Sequence, residues 1–197
     1  MLFAGLHGTL EVRQSEGGET RLRGAFPYQR ETVLYDGGGR SGQARREIIA
    51  SRAFSRRVSD PDADIHLLAA HDFDRPLASR GAGTLTLTDD EDALRFEARV
   101  GADMAGVSWV ADALGALRSG LVRGLSPGFR VPDASGAEDV RSDAQGLLRT
   151  VRKADLFEIS AVTVPAYESA QIEARSWQPD QQNTSDLGFD PRARWRL

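Results

Sequence analysis

The chain has 197 residues, 40% of them hydrophobic, and a formal net charge of −4, which suits one domain with a sizeable core. Cysteine is absent, which excludes disulfides, thiolate nucleophiles and Cys-built zinc sites, and the 25 basic residues are scattered rather than gathered into the stripe of a nucleic-acid binder. No stretch approaches the roughly 20 uncharged apolar residues that cross a bilayer, and Met1-Leu2-Phe3-Ala4-Gly5 lacks the basic flank and apolar run of a secretory signal, so an unprocessed, intracellular chain is expected.

In chain order, Leu22 to Tyr35 reads as extended, and Asp36-Gly37-Gly38-Gly39 is a turn, since glycine accepts positive φ without steric cost. Arg46-Glu47-Ile48-Ile49 leads into Ala53 to Val58, an amphipathic stretch of one or two helical turns that stops at Asp60-Pro61. Ile65 to His71 is an apolar run, read as a buried strand ending near His71, before a polar loop. Thr84 to Thr88 and Leu94 to Val100 alternate apolar and polar residues around the acidic turn Asp89-Asp90-Glu91-Asp92, the pattern of a hairpin. Val107, Val110, Ala111, Leu114 and Leu117 recur at helical spacing, with Gly120 as the stop.

Leu121 to Val131 holds Gly124-Leu125-Ser126-Pro127-Gly128-Phe129, in which Pro127 implies a sheet edge, a bulge or a sharp turn that presents Ser126 rather than burying it. Leu147 to Lys153 and Phe157 to Val164 read as two further strands, the second ended by Pro165-Ala166-Tyr167. Residues 1–175 are therefore expected to form a single, mainly β domain with a few helices (α+β). Residues 176–197, rich in Gln, Asn, Asp, Ser and Pro, are expected to form a flexible tail.

Without cysteine, nucleophilic chemistry falls to Ser, Thr, Lys or a carboxylate. Ser126 lies between Gly124 and Gly128, which permit close approach by a substrate backbone; it reads as a nucleophile or as an ordinary turn serine. The histidines are His7, His66 and His71. His71, at the end of the apolar run, is placed to deliver an imidazole to the rim of the core as a general base, or is a solvent-facing loop histidine. Glu158 lies in a segment otherwise suited to burial, and a buried carboxylate needs a partner. That partner is the imidazole, whose tautomer it would fix; otherwise Glu158 faces solvent, or pairs with Arg149 or Arg152 on the neighbouring strand. His66 is the other candidate for the third position.

Taken together, several blocks resemble the prohead maturation proteases of tailed bacteriophages and related prophage-derived particles. These are Arg46-Glu47-Ile48-Ile49 with Ala53-Phe54; Leu67-Leu68-Ala69-Ala70-His71-Asp72 with Pro76-Leu77; Gly83-Thr84-Leu85-Thr86-Leu87 with Asp90; the serine block to Gly128-Phe129; and Leu156-Phe157-Glu158-Ile159-Ser160-Ala161-Val162-Thr163-Val164-Pro165-Ala166-Tyr167. The resemblance runs from about Arg21 to Arg175. It implies a compact β-barrel decorated with helices, similar to the herpesvirus capsid assembly proteases, with Ser126 as nucleophile, His71 as base and Glu158 as the third residue. The herpesvirus enzymes have histidine in the third position, and the phage family often has Asn where this chain has Ala70.

The implied activity is peptide-bond hydrolysis by acyl transfer, with backbone amides around Pro165-Ala166-Tyr167 suggested for the oxyanion hole and no requirement for a metal or a cofactor. The implied substrates are extensions of the major capsid protein or scaffold, and the protease's own termini, inside an assembling prohead in the bacterial cytoplasm. No nucleic acid or membrane is implied as a partner, and homo-oligomerisation, as in the dimer-activated viral proteases, stays open. Two rival readings make other predictions. A noncatalytic assembly factor would bind capsid or portal subunits, and a β-barrel binding module with a chance triad would leave His71, Ser126 and Glu158 apart in space.

Overall fold

The computed structural model describes residues 9–14, 18–38 and 42–163. The expected tail, residues 176–197, and Pro165-Ala166-Tyr167 lie outside the described residues, as does His7. Twelve strands and two α-helices are described: β1 (Thr9–Gln14), β2 (Thr20–Pro27), β3 (Glu31–Tyr35), β4 (Arg45–Ile49), α1 (Ser55–Ser59), β5 (His66–Ala69), β6 (Asp72–Ser79), β7 (Leu85–Asp89), β8 (Ala93–Val100), α2 (Ser108–Arg118), β9 (Gly124–Arg130), β10 (Glu138–Asp143), β11 (Gly146–Val151) and β12 (Asp155–Val162). The expected mainly β, α+β class is what is observed.

The strands form three four-stranded sheets, in the orders β1-β2-β8-β7, β10-β11-β4-β3 and β6-β5-β12-β9. Neighbours are antiparallel except for two parallel pairs, β4 with β11 and β5 with β12. The closed barrel expected from the resemblance is not formed among the described residues, because none of these orders returns on itself. β9 carries Pro127 and β6 carries Pro76, neither of which has an N–H to give a further strand, and β6 also slips register twice against β5.

Apolar side chains from all three sheets meet in one core. Leu22 and Phe26 of β2, Leu94 and Phe96 of β8, Leu67 of β5, Leu125 of β9, and Leu156 and Ile159 of β12 are buried there. Phe54, just before α1, is its aromatic centre, with ring centroids 6.3 Å from Phe26, 6.0 Å from Tyr28 and 5.5 Å from Phe129. α2 closes one side with Val110, Leu114 and Leu117 of the five residues its spacing placed there, while Val107 caps the helix and Ala111 is exposed, and Gly120 follows the helix at φ +72°, where a Cβ would be strained. The hairpin β7–β8 and the short helix α1 also fall where the sequence places them. β1, β6 and β10 are additional strands.

Charge is buried in the second sheet. Arg149, 3% exposed, donates from Nη1 to Glu47 Oε2 at 2.9 Å and is also paired with Glu138. Arg152 pairs with Asp139 at 3.5 Å. Both arginines that the sequence offers to Glu158 are thus occupied elsewhere.

Candidate active site

The third sheet, β6-β5-β12-β9, carries Ser126, Glu158 and His66 on its strands and His71 in its β5–β6 turn. Its two faces differ. Leu67, Leu125, Ile159 and Ala161 point into the main core. Across β12 and β9, Ser126 is the register partner of Ser160, and Gly128 is the partner of Glu158. Directly opposed residues share a face, as do residues two apart on a strand, so Ser126, Gly128, Glu158 and Ser160 form one polar patch on the face away from that core.

A β-bulge makes this division possible. Leu156 and Ile159 both face the core although three residues apart, which a regular strand forbids. The register shift between Leu156 and Glu158 inserts Phe157 as an extra residue and resets the alternation, so that Glu158 and Ser160 fall on the opposite face. Phe157 is turned out under two guanidinium groups, Arg57 at 4.5 Å and Arg130 at 5.7 Å from its ring centroid.

His71 reaches this patch from a hairpin rather than from the end of a strand leading to a loop. Ala69 and Asp72 are register partners, so Ala70 and His71 are the two central residues of the β5–β6 turn. Both have positive φ, 55° and 62°. This is the φ signature of a type I′ turn, usually filled by Asn-Gly or Asp-Gly because a Cβ is crowded there. Asn is among the non-glycine residues that tolerate the left-handed region best; Ala70 gives no such relief. A non-glycine residue held there costs on the order of 1–3 kcal/mol. Two hydrogen bonds to β12 offset it: the Ala70 N–H donates to the Ala161 carbonyl at 3.0 Å, and the His71 N–H donates to Ser160 Oγ at 2.9 Å.

The side chains then close a ring. Glu158 Oε1 lies 2.8 Å from His71 Nδ1, and the Ser160 hydroxyl donates to Glu158 Oε2 at 2.6 Å. The Glu158 side chain is 4% exposed and that of His71 38% exposed, so a buried carboxylate meets an imidazole whose rim reaches solvent. A carboxylate in its ionised form only accepts, and against such a group Nδ1 is the nitrogen that would donate and Nε2 the one left basic.

Ser126 is buried at 4% exposure, contrary to the expectation that Pro127 would present it. The proline does mark an edge strand, as read. Its partner across the sheet is Ile159 on the core face, so Ser126 beside it turns to the polar face together with Ser160. Gly128 differs from its sequence reading too. A Cβ built on it would lie 1.9 Å from Glu158 Oε1 and 2.6 Å from Cδ, so among the described residues its space is filled by the Glu158 side chain rather than kept for a substrate.

His66 is the register partner of Glu158 on β5, yet its Nε2 lies 3.4 Å from Asp64 and its ring packs edge-on against Phe73, with centroids 6.1 Å apart. The carboxylate bonded to His71 is Glu158. The sequence reading singled out neither Ser160 nor the steric role of Gly128. The signal available was the spacing Glu158-x-Ser160, which puts a hydroxyl beside a buried carboxylate on one strand. Among the described residues no group of three or more His, Asp and Glu side chains is placed to hold a metal ion, and no helix is long and apolar enough to cross a membrane.

Residues 9–184 match the family model described as Caudovirus prohead serine protease. No curated protein and no solved structure matches.

Proposed function

The chain belongs to the caudovirus prohead serine protease family, and on that premise we propose that it is the endopeptidase that trims capsid-protein or scaffold extensions, and its own termini, inside the assembling prohead. Ser126 is the nucleophile, His71 the general base and Glu158 the residue that orients the imidazole. The observation that carries this reading is the 2.8 Å contact between His71 Nδ1 and a Glu158 carboxylate buried on the same sheet face as Ser126.

In this mechanism Ser126 Oγ attacks the peptide carbonyl carbon and its proton passes to His71 Nε2. The imidazolium so formed is stabilised by Glu158 through Nδ1–H. As the tetrahedral intermediate collapses, the C–N bond breaks and the leaving amine takes the proton from Nε2, leaving an acyl-serine. Water, deprotonated by the same nitrogen, then adds to the acyl carbon; the C–Oγ bond breaks to release the acid, and Oγ takes the proton back from Nε2. The order base, nucleophile, third residue supports a kinship with the herpesvirus assembly proteases. The noncatalytic reading predicts no particular relation among these residues, whereas Glu158 meets His71 on the face that carries Ser126.

The test is Ser126→Ala in cells that assemble the prohead. The variant is expected to fold and to enter the shell while the capsid precursor stays at full length by mass spectrometry. A normally processed capsid protein would remove Ser126 from the mechanism.

A further inference from the structure

Ser160 is fully buried and, among the described residues, is the one bonded both to the backbone of His71 and to the side chain of Glu158. We infer that Ser160 is a positioning residue that latches the base: its hydroxyl ties the strained turn carrying His71 to the carboxylate that fixes the ring. The inference rests on the reading of His71 as general base.

The direction of the hydrogen bonds carries the argument. A serine hydroxyl has one hydrogen and two acceptor lone pairs. Ser160 Oγ accepts from the His71 N–H, so its hydrogen is free for Glu158 Oε2. With Oε2 occupied, Oε1 faces Nδ1. The ring thus begins at the main chain of His71 and ends at its side chain, through one hydroxyl and one carboxylate. It holds at once the backbone position of the base, the rotamer of the carboxylate and the tautomer that leaves Nε2 basic.

Without the hydroxyl, the His71 N–H loses its acceptor in a turn with two positive φ angles, and Oε2 loses its donor. The carboxylate is then free to rotate and the ring to flip, although every strand pairing is kept. Strand geometry alone does not require this hydroxyl, since Ser160 pairs with Ser126 and Leu68 through its backbone.

The experiment compares wild type with Ser160→Ala and Ser160→Thr by three readouts. The first is amide hydrogen exchange at two adjacent residues. The His71 amide is expected to exchange about tenfold faster in Ser160→Ala, while the Ala70 amide, bonded to the Ala161 carbonyl, keeps its rate. The second is the long-range ¹H–¹⁵N spectrum of the imidazole: wild type shows one fixed Nδ1–H tautomer and Ser160→Ala shows averaging of the two. The third is the rate at which a fluorophosphonate labels Ser126, forming the O–P bond and expelling fluoride, which is expected to fall about 10- to 100-fold.

Ser160→Thr keeps the hydroxyl and is expected to restore the fixed tautomer and most of the labelling rate. Should Ser160→Ala not fold, Ser160→Cys, close in size and with a weak donor and acceptor, carries the same three readouts and is expected between the two. A wild-type tautomer and labelling rate in the variant that lacks the hydroxyl would overturn the inference, as would equal acceleration of the Ala70 and His71 amides. The exchange and tautomer readouts do not depend on proteolysis. If they come out as expected while Ser126→Ala still processes the capsid protein, Ser126 leaves the mechanism and the hold of Ser160 on His71 and Glu158 stands.

Discussion

His71 and Glu158 are 87 residues apart in the chain and 2.8 Å apart at Nδ1 and Oε1. The parallel pairing of β5 with β12 brings them together: Ala161 lies beside Ala69, so the turn at the end of β5 sits at the C-terminal end of β12, within reach of Ser160 and Glu158. The antiparallel pairing of β12 with β9 then sets Ser126 opposite Ser160. One central strand, β12, therefore carries Glu158 and Ser160 between the strand that leads to His71 and the strand that holds Ser126. Both core positions and site positions on β12 depend on the single extra residue at the bulge.

The third position is separable by two substitutions. Glu158→Gln keeps the shape but replaces an acceptor-only group with one that can also donate, so either tautomer of His71 can bond to it. Peptide hydrolysis is expected to fall about 10²- to 10⁴-fold, with the melting temperature near that of wild type. His66→Ala, which removes a ring held by Asp64 and Phe73, is expected to leave hydrolysis within a few-fold of wild type. Steady-state rates on both variants decide it; activity that survives the first and is lost in the second would move the third position to His66.

Gly128→Ala tests the close packing of the carboxylate. The backbone at Gly128 is ordinary extended strand, so alanine meets no strain from φ. Its Cβ, however, would fall on Oε1, Cδ and Cγ of Glu158 within 1.9, 2.6 and 2.8 Å. Because Glu158 is buried and held at both oxygens, it cannot swing away as a surface side chain would. The variant is expected to lose about 1–3 kcal/mol of stability and to lose activity far beyond what that destabilisation explains. Urea unfolding alongside hydrolysis of the same preparation checks both; full activity would mean that the Glu158 rotamer does not matter.

Much of this architecture is legible from periodicity. The β7–β8 hairpin and α2 declare themselves because each buries one face, and the alternation at Leu94, Phe96, Ala98 and Val100 survives intact in the burial of β8. β12 is different, since nearly all of it is buried on both faces and its pattern carries no period of two. Whether Glu158 faces solvent, an arginine or the imidazole is therefore undecidable from the strand alone. The bulge at Phe157 and the parallel neighbour β5 settle it, and neither has a local signature. The turn at Ala70-His71 was hidden for a related reason: it lacks the Asn-Gly or Asp-Gly that marks a two-residue hairpin, because bonds to β12 take over the work of turn chemistry.

Two carboxylates outside the site are expected to respond to pH in opposite senses. Asp143 is held below its ordinary range, first by the hydrogen bond from Arg46 Nη2 at 2.5 Å and then by the Gln145 N–H at 2.8 Å. Its contribution is present above the unfolded carboxylate value, about 3.9, and is lost as pH falls through the lower folded value. Asp89 is pushed up, chiefly by burial, against a partial opposing effect from the Tyr28 hydroxyl 2.5 Å away; its Oδ2 has no hydrogen-bond partner among the described residues. Its contribution is present below about 3.9 and is lost as pH rises through the higher folded value. Thermal melts from acid to neutral pH are therefore expected to show Asp143→Asn falling further below wild type as pH rises. Asp89→Asn should gain on wild type over the same rise, because asparagine avoids ionisation in a half-buried site. Differences that move in the same direction for the two variants would mean that one assigned environment, the Arg46 pairing or the burial of Asp89, does not control that carboxyl group.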